Sequence, residues 1–149
     1  MSANNLNLSL IIPVFNSESS LAKLIESIVN SLSKTSFSYE IVCINDGSID
    51  KSYQVLQELA LITPPLRAIN LTKNFGQDNA IMAGLNHCYG DNIVIMDDDL
   101  QHHPNDISLL IDGLNPDFDV CYGLYAKRKG GIMKSLASKF NNFSASIIL

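Results

Sequence analysis

Long hydrophobic runs are missing from this 149-residue sequence. No apolar stretch approaches the roughly 18–20 residues that a membrane-spanning helix needs, so a bilayer crossing is not expected. Residues 1–5 contain no basic side chain, and the apolar stretch 8–12 ends at Pro13, so a secretory signal is not expected either. Cysteine is scarce and odd in number. Cys43, Cys88 and Cys121 lack metal-ligand spacing and are expected as buried thiols in a reducing compartment. There is no internal repeat and no low-complexity segment. No G-x-x-x-x-G-K-[ST] or G-x-G-x-x-G loop cradles phosphates, and neither a G-x-S-x-G elbow nor an H-E-x-x-H helix occurs.

What is present describes one folded domain. Hydrophobic residues make up 46% and charged residues 17%, which excludes a disordered chain. The length suffices for a core without disulfide staples. The net charge of −5 is uneven: residues 1–126 carry five basic and fifteen acidic side chains, whereas residues 127–149 carry five basic and no acidic ones. An acidic body argues against a nucleic-acid partner. The basic tail is a candidate contact for phosphate or an anionic membrane surface, with a solvated helix face as the plainer alternative. In that tail Ile132, Leu136, Phe140, Phe143 and Ile147 recur at helical spacing, the pattern of an interface-lying or packed helix.

Short apolar runs alternate with helical stripes. Residues 8–13, 40–45, 66–71, 92–96 and 119–123 read as five strands. Between them, Leu21, Leu24, Ile25, Ile28, Val29 and Leu32 mark a first helix. Tyr53, Leu56, Leu59 and Ala60 mark a second, stopped before Pro64 and Pro65. Ala80, Ile81, Ala83, Gly84 and Leu85 mark a third. Pro104 suits the first position of a fourth, ending near Leu114. Repeated β-then-α units predict an α/β fold, a mostly parallel sheet with helices on both faces. In such sheets ligands bind beyond the carboxyl ends of the strands, which directs attention to 13–18, 45–50, 71–77 and 97–104.

The densest cluster there is Asp97-Asp98-Asp99-Leu100-Gln101, leaving a buried strand directly. In an extended chain alternate side chains share a face, so Asp97 and Asp99 are expected together, Gln101 continuing the alternation and Asp98 turned away. Two carboxylates and an amide oxygen suit Mg²⁺ or Mn²⁺, and three adjacent acids repel without a cation. Helix capping needs only one of them. Asn45-Asp46-Gly47-Ser48 is good turn chemistry, with Ser48 a candidate cap, and Asp46 could instead accept hydrogen bonds from a base. Near Pro13, Phe15 could flank a base and Glu18 accept from it or from a ribose, the plainer reading being a helix start capped by Asn16 or Ser17. Thr72, Lys73, Asn74 and Gln77 place donors at the same edge, where Lys73 could meet a phosphate. His102 and His103 are adjacent, a poor joint metal pair. The first strand lacks the acidic pair of a phospho-receiver domain.

In this order and spacing these clusters resemble the family 2 glycosyltransferases of GT-A fold, with the nearest match among the polyprenyl-phosphate glycosyltransferases. The resemblance rests on 11–18, 44–48, 71–77, 83–85, Gly90-Asp91 and 96–104, and it covers roughly residues 8–124. It implies a nucleotide-diphospho-sugar transferase domain over 1–126 and a basic amphipathic segment over 127–149 that begins a further C-terminal part. It implies that Pro13, Phe15, Glu18 and Asp46 hold the nucleoside. Asp97, Asp99 and Gln101 would bind Mg²⁺ or Mn²⁺, with Asp98 beside the donor, so that Asp97, Asp98 and Asp99 form the catalytic set. Lys73, Asn74 and Gly76 would lie on the acceptor side. Relatives often carry Gly-x-Arg after the fifth strand where this chain has Gly123-Leu124-Tyr125, and Lys127 or Arg128 could substitute for that Arg. The implied reaction is an inverting transfer from a nucleoside-diphosphate sugar to a polyprenyl (undecaprenyl or dolichyl) phosphate in cell-envelope glycan synthesis. The alternatives are a hydroxyl acceptor on a growing polysaccharide and an inactive nucleotide-binding fragment. A metal-dependent nucleotidyltransferase is disfavoured by the missing phosphate loop. The implied partners are the sugar nucleotide, the lipid phosphate and, for the full-length protein, the cytoplasmic membrane surface, peripherally or by an anchor. This fragment is expected to be soluble, with homo-oligomerisation left open and no nucleic acid involved.

Overall fold

The structure is a computed structural model and describes residues 8–101, 103–113 and 119–123. Its elements run β1 (Leu8–Val14), α1 (Leu21–Leu32), β2 (Tyr39–Asn45), α2 (Ser52–Ile62), β3 (Leu66–Asn70), α3 (Gln77–Leu85), β4 (Asn92–Ile95) and α4 (Asp106–Gly113). The strands form one parallel sheet in the order β3-β2-β1-β4. β1 lies at its centre and is buried at every position, as its near-continuous apolar run requires.

One face of the sheet, carrying Leu10, Ile12, Ile41 and Cys43, packs against the α1 stripe Leu21, Leu24, Ile25, Ile28 and Leu32, with Leu56 of α2 and Ile107 of α4 completing the layer. Each fully buried Leu or Ile contributes about 1.5–3 kcal/mol, so the α1 stripe anchors that helix far more strongly than its propensity could. The other face, carrying Ile11, Val42 and Ile44, meets Ala80 of α3. There a Cβ on Gly84 would lie 2.5 Å from Ile11 Cγ2 and 2.8 Å from Ile44 Cδ1, so only glycine lets α3 approach this closely. Helices on both faces of a parallel sheet agree with the sequence pattern.

Three expectations need correction. Residues 119–123 do not form a fifth strand: none of them pairs with the sheet. Cys121 Sγ lies 2.7 Å from where a Gly113 Cβ would stand, so this segment packs on the end of α4. An apolar cleft of about 610 Å³ separates it from β4, whose Ile93 and Ile95 line the cleft with Leu110 and Val120. Nor does Pro104 open α4. It lies in a turn whose carbonyl accepts from Ile107 N–H at 3.2 Å, and the helix starts at Asp106. Cys43 is buried, and burial pushes its thiol up, but Cys88 and Cys121 are only half-buried.

Pro13 sits inside the central strand, where a missing N–H ordinarily costs a ladder bond. The register explains it. Ile11 pairs with Ile95, and its carbonyl accepts Met96 N–H at 3.0 Å, so Ile11 turns its backbone groups toward β4. The next residue facing that way is Pro13, and β4 has already left the sheet there. The imino acid falls where the ladder ends.

The sheet edge where the strands begin carries a closed polar network. Glu40 is 4% exposed. Its Oε1 accepts Ser9 Oγ–H at 2.7 Å and Tyr89 N–H at 2.6 Å, and its Oε2 accepts Arg67 Nη1–H at 2.8 Å. Ser9 Oγ in turn accepts Gly90 N–H at 2.8 Å, and the Arg67 guanidinium lies 4.8 Å from the Tyr89 ring centroid. Burial alone would raise the Glu40 carboxyl; the hydrogen bonds from Ser9, Tyr89 and Arg67 outweigh it and hold the group below its ordinary value.

Candidate functional site

At the opposite edge, four loops leave the strands and are stitched to one another. The β1 and β2 exits interlock. Asn16 N–H donates to Ser48 Oγ at 2.9 Å, and Asn16 Oδ1 accepts Ile49 N–H at 2.9 Å. Ser17 N–H donates to Ser52 Oγ at 2.8 Å. Glu18 Oε2 accepts Lys51 N–H at 2.7 Å at the start of α2, and Glu18 N–H donates to Asp50 Oδ2 at 3.1 Å. Slight burial would raise Asp50, but its bonds from Ser52 and from Glu18 N–H hold it below the usual range. Asn16 adopts φ 54°, a left-handed conformation that asparagine tolerates.

The β2 exit is tied to the β3 exit by Asp46, which is 3% exposed. Its Oδ1 accepts Phe75 N–H at 2.7 Å and its Oδ2 accepts Gly76 N–H at 2.9 Å. Gly47, at φ +63°, passes so near this loop that a Cβ would stand 2.3 Å from the Lys73 carbonyl carbon. Only glycine fits that position on both counts. The β4 exit is tied to α3, where Gln77 Nε2–H donates to Asp97 Oδ1 at 2.8 Å. It is tied to the β1 exit by Asp98, whose Oδ2 accepts Phe15 N–H at 3.2 Å and Ser17 Oγ–H at 2.5 Å.

These loops enclose a cavity of about 350 Å³ lined by Pro13, Val14, Phe15, Asp46, Asn74, Gly76, Gln77, Asp97, Asp98 and Asp99. The cavity thus gathers nine of the sequence-selected residues: Pro13, Phe15, Asp46, Asn74, Gly76, Gln77, Asp97, Asp98 and Asp99. Gln101 stands outside it, because Leu100 takes φ 60° and breaks the extended alternation expected after β4. Asp99 Oδ1 instead accepts Gln101 N–H at 2.9 Å. Asp98 lines the cavity rather than turning away from it. Glu18 and Lys73 are not lining residues either; the Lys73 ammonium lies 5.1 Å from the Phe75 ring centroid. Ser48 does not cap α2 but receives Asn16, and neither Asn16 nor Ser17 caps α1 through its side chain. Val14 was given no site role by the sequence, whereas Gln77, expected as a donor at this edge, does donate there, to Asp97. Lys127, Arg128 and the 127–149 segment, together with His102, lie outside the described residues.

The pattern of the family described as Glycosyl transferase family 2 matches residues 9–145. The chain belongs to glycosyl transferase family 2. A relative from Pseudomonas fluorescens (strain Pf0-1), named undecaprenyl-phosphate 4-deoxy-4-formamido-L-arabinose transferase, is 36% identical over 91% of this chain and 40% of its own length. A relative of the same name from Pectobacterium atrosepticum is 37% identical over 91% of this chain and 42% of its own. The chain therefore spans about 40% of the length of these relatives. Among solved structures, S. aureus TarS 1-349 in complex with UDP-GlcNAc superposes with a TM-score of 0.57 at 26% identity, over 71% of this chain and 31% of that one. The mannosyltransferase PcManGT from Pyrobaculum calidifontis, solved with GDP-Man and Mn2+, shares the fold with a TM-score of 0.52 at 24% identity, over 64% of this chain and 28% of that one. The parallel sheet with helices on both faces is the GT-A arrangement of this family.

Among the described residues no three His, Cys, Asp or Glu side chains converge to hold a metal by themselves. Mg²⁺ and Mn²⁺ do not require that. They are commonly held by one or two carboxylates, with phosphate oxygens and water completing the shell. Asp97 and Asp99, two hard-oxygen donors at the wall of this cavity, fit such a shared site. No helix among the described residues is long and apolar enough to cross a membrane.

Proposed function

We propose that this chain is the sugar-nucleotide-binding part of a transferase that moves a sugar from a nucleoside-diphosphate sugar to a polyprenyl phosphate. The observation that carries the proposal is the acidic cavity at the carboxyl edge of a family 2 domain, in a chain whose relatives at 36–37% identity are named undecaprenyl-phosphate sugar transferases. Pro13 and Phe15 flank the base. Asp46, fixed by the 75–76 backbone, accepts from the nucleoside, and Glu18 does so from the rim. Asp97 and Asp99, with Gln101 approaching from outside, hold Mg²⁺ or Mn²⁺ together with the diphosphate. Bound there, the cation supplies positive charge against the negative charge that develops on the leaving diphosphate. Lys73, Asn74 and Gly76 serve the acceptor side, joined by Lys127 and Arg128 from the basic tail. A phosphate oxyanion as acceptor needs no general base. The full-length enzyme works at the cytoplasmic membrane surface, where its lipid acceptor resides.

Calorimetric titration of UDP, GDP and dTDP into the chain, with and without Mn²⁺, tests this reading. Appreciable binding of one nucleotide only with the metal is expected. Equal binding in excess chelator removes the metal role, and no binding of any nucleotide removes the nucleotide reading. The acceptor is tested on the full-length protein, by sugar transfer to undecaprenyl phosphate against transfer to polysaccharide hydroxyls.

A further inference from the structure

We propose that Asp98 is a positioning residue: its carboxylate is a clasp that closes the β4 exit onto the β1 exit. In doing so it fixes Phe15 against the turn that carries Asp97 and Asp99. The inference rests on the nucleotide reading of the cavity only in its second half. Three contacts carry it, all across more than 75 residues of sequence. Asp98 Oδ2 accepts both Phe15 N–H, at 3.2 Å, and Ser17 Oγ–H, at 2.5 Å, and Ser20 Oγ reaches the Asp98 carbonyl at 3.4 Å. One oxygen thus gathers a backbone and a hydroxyl donor from the loop that presents Phe15. Among the described residues no comparable bond runs between the β1 exit and Asp97 or Asp99. Asp97 is held instead by Gln77, and Asp99 by its own turn through Gln101 N–H. The three adjacent acids are therefore divided: the outer two are held from α3 and from within the turn, and the middle one is bound to the opposite loop. The oxygen that takes both donors, Oδ2, has its lone pairs turned to the β1 exit.

The division predicts a distinctive mutational pattern. Asparagine can place its carbonyl oxygen where Oδ2 stands and accept both donors without carrying charge; alanine cannot. A clasp is therefore rescued by Asp98→Asn, whereas a metal ligand or charge donor is not. The test uses the full 149-residue chain. Amide hydrogen exchange at Phe15 is followed by NMR, and Mn²⁺-dependent titration of UDP and GDP is measured in parallel. In the wild type the Phe15 amide should be protected. Asp98→Ala should release it and weaken nucleotide binding by about tenfold, the loss expected for one charge-assisted bond. Asp98→Asn should restore protection and most of the affinity. Ser17→Ala should reproduce part of the Asp98→Ala loss, and the double variant should lose less than the two single losses combined. If Asp98→Asn keeps the amide protected yet binds nucleotide as poorly as Asp98→Ala, the charge acts on the ligand directly and the clasp is overturned. Fast exchange at Phe15 in the wild type also overturns it. A wild type that binds no nucleotide defeats the reading of the cavity instead, and the amide exchange still decides the clasp.

Discussion

The two edges of the sheet handle acidic side chains in opposite ways. At the edge where the strands begin, Glu40 is paired with its own cation, Arg67, and takes donors from Ser9 and Tyr89. At the edge where they end, Asp46, Asp97, Asp98 and Asp99 line one cavity, and no Lys or Arg is among its lining residues. Backbone amides, a hydroxyl and one side-chain amide hold these four acids in place, but none of those donors neutralises them. The first arrangement is complete within the fold and serves to pin β1, β2, β3 and the 89–90 turn together. The second leaves negative charge to be balanced from outside, which is the condition of a site for a cation and the phosphates it carries.

The largest expected effect breaks the complete edge. Glu40→Ala leaves Ser9 and the Tyr89 amide without this acceptor and Arg67 with the His87 carbonyl but no counter-charge. It should cost about 3 kcal/mol, toward the lower end for a broken buried pair because Arg67 is partly exposed. Thermal denaturation should register this as a fall of roughly 6–12 °C; a loss near zero would mean that water replaces the network freely. The same group gives the edge a pH signature. The native Glu40 carboxyl is depressed, so its contribution is in place above its ordinary value of 4.5 and disappears as pH falls through the lower native value. Urea unfolding between pH 7 and 3 should therefore lose stability on the acid side, and this acid loss should be smaller in Glu40→Gln.

At the open edge, Asp46→Ala should weaken nucleotide binding by about ten- to a hundredfold, since one charge-assisted bond is worth roughly 1.5–3 kcal/mol. Unchanged affinity with a loosened 75–76 loop would restrict Asp46 to holding the turn. The smallest effect sharpens the contrast most. Asp97→Asn relieves repulsion among the acids and should raise the stability of the ligand-free chain by about 0.5 kcal/mol while removing the Mn²⁺ dependence of binding. A destabilised Asp97→Asn would place that carboxylate in the same class as Glu40.

The elements that position the cavity were legible because their signals are local. The α1 stripe at Leu21, Leu24, Ile25, Ile28 and Leu32 is the buried face, and four strand exits are polar where the apolar runs stop. What escaped the sequence is long-range. Glu18 looks like a free carboxylate in a loop, yet Lys51 N–H occupies it, and Asp98 looks like one more acid of a run, yet its partners are Phe15 and Ser17. Such pairings depend on which loops the sheet order brings together, and spacing along the chain does not encode that. The expected alternation through Gln101 failed at a single residue, because a positive φ at Leu100 is not written in leucine's preferences. The strand expected at 119–123 had the right residue types, but a strand exists only with a partner, and α4 holds that segment off the sheet.

Pro13 has a further consequence for the depth of the cavity. An amide N–H at that position could donate one more rung to the Met96 carbonyl, and β4 would zip onward along β1 by a residue. Each residue drawn into a strand advances the chain by about 3.3 Å and reverses the face its side chain occupies. Asp97 would then be carried into the sheet, and the distance between the acids and Phe15 would be reset. The proline acts as a stop on a ruler: by withholding a single proton from the backbone, it fixes where the sheet ends and the acidic wall begins.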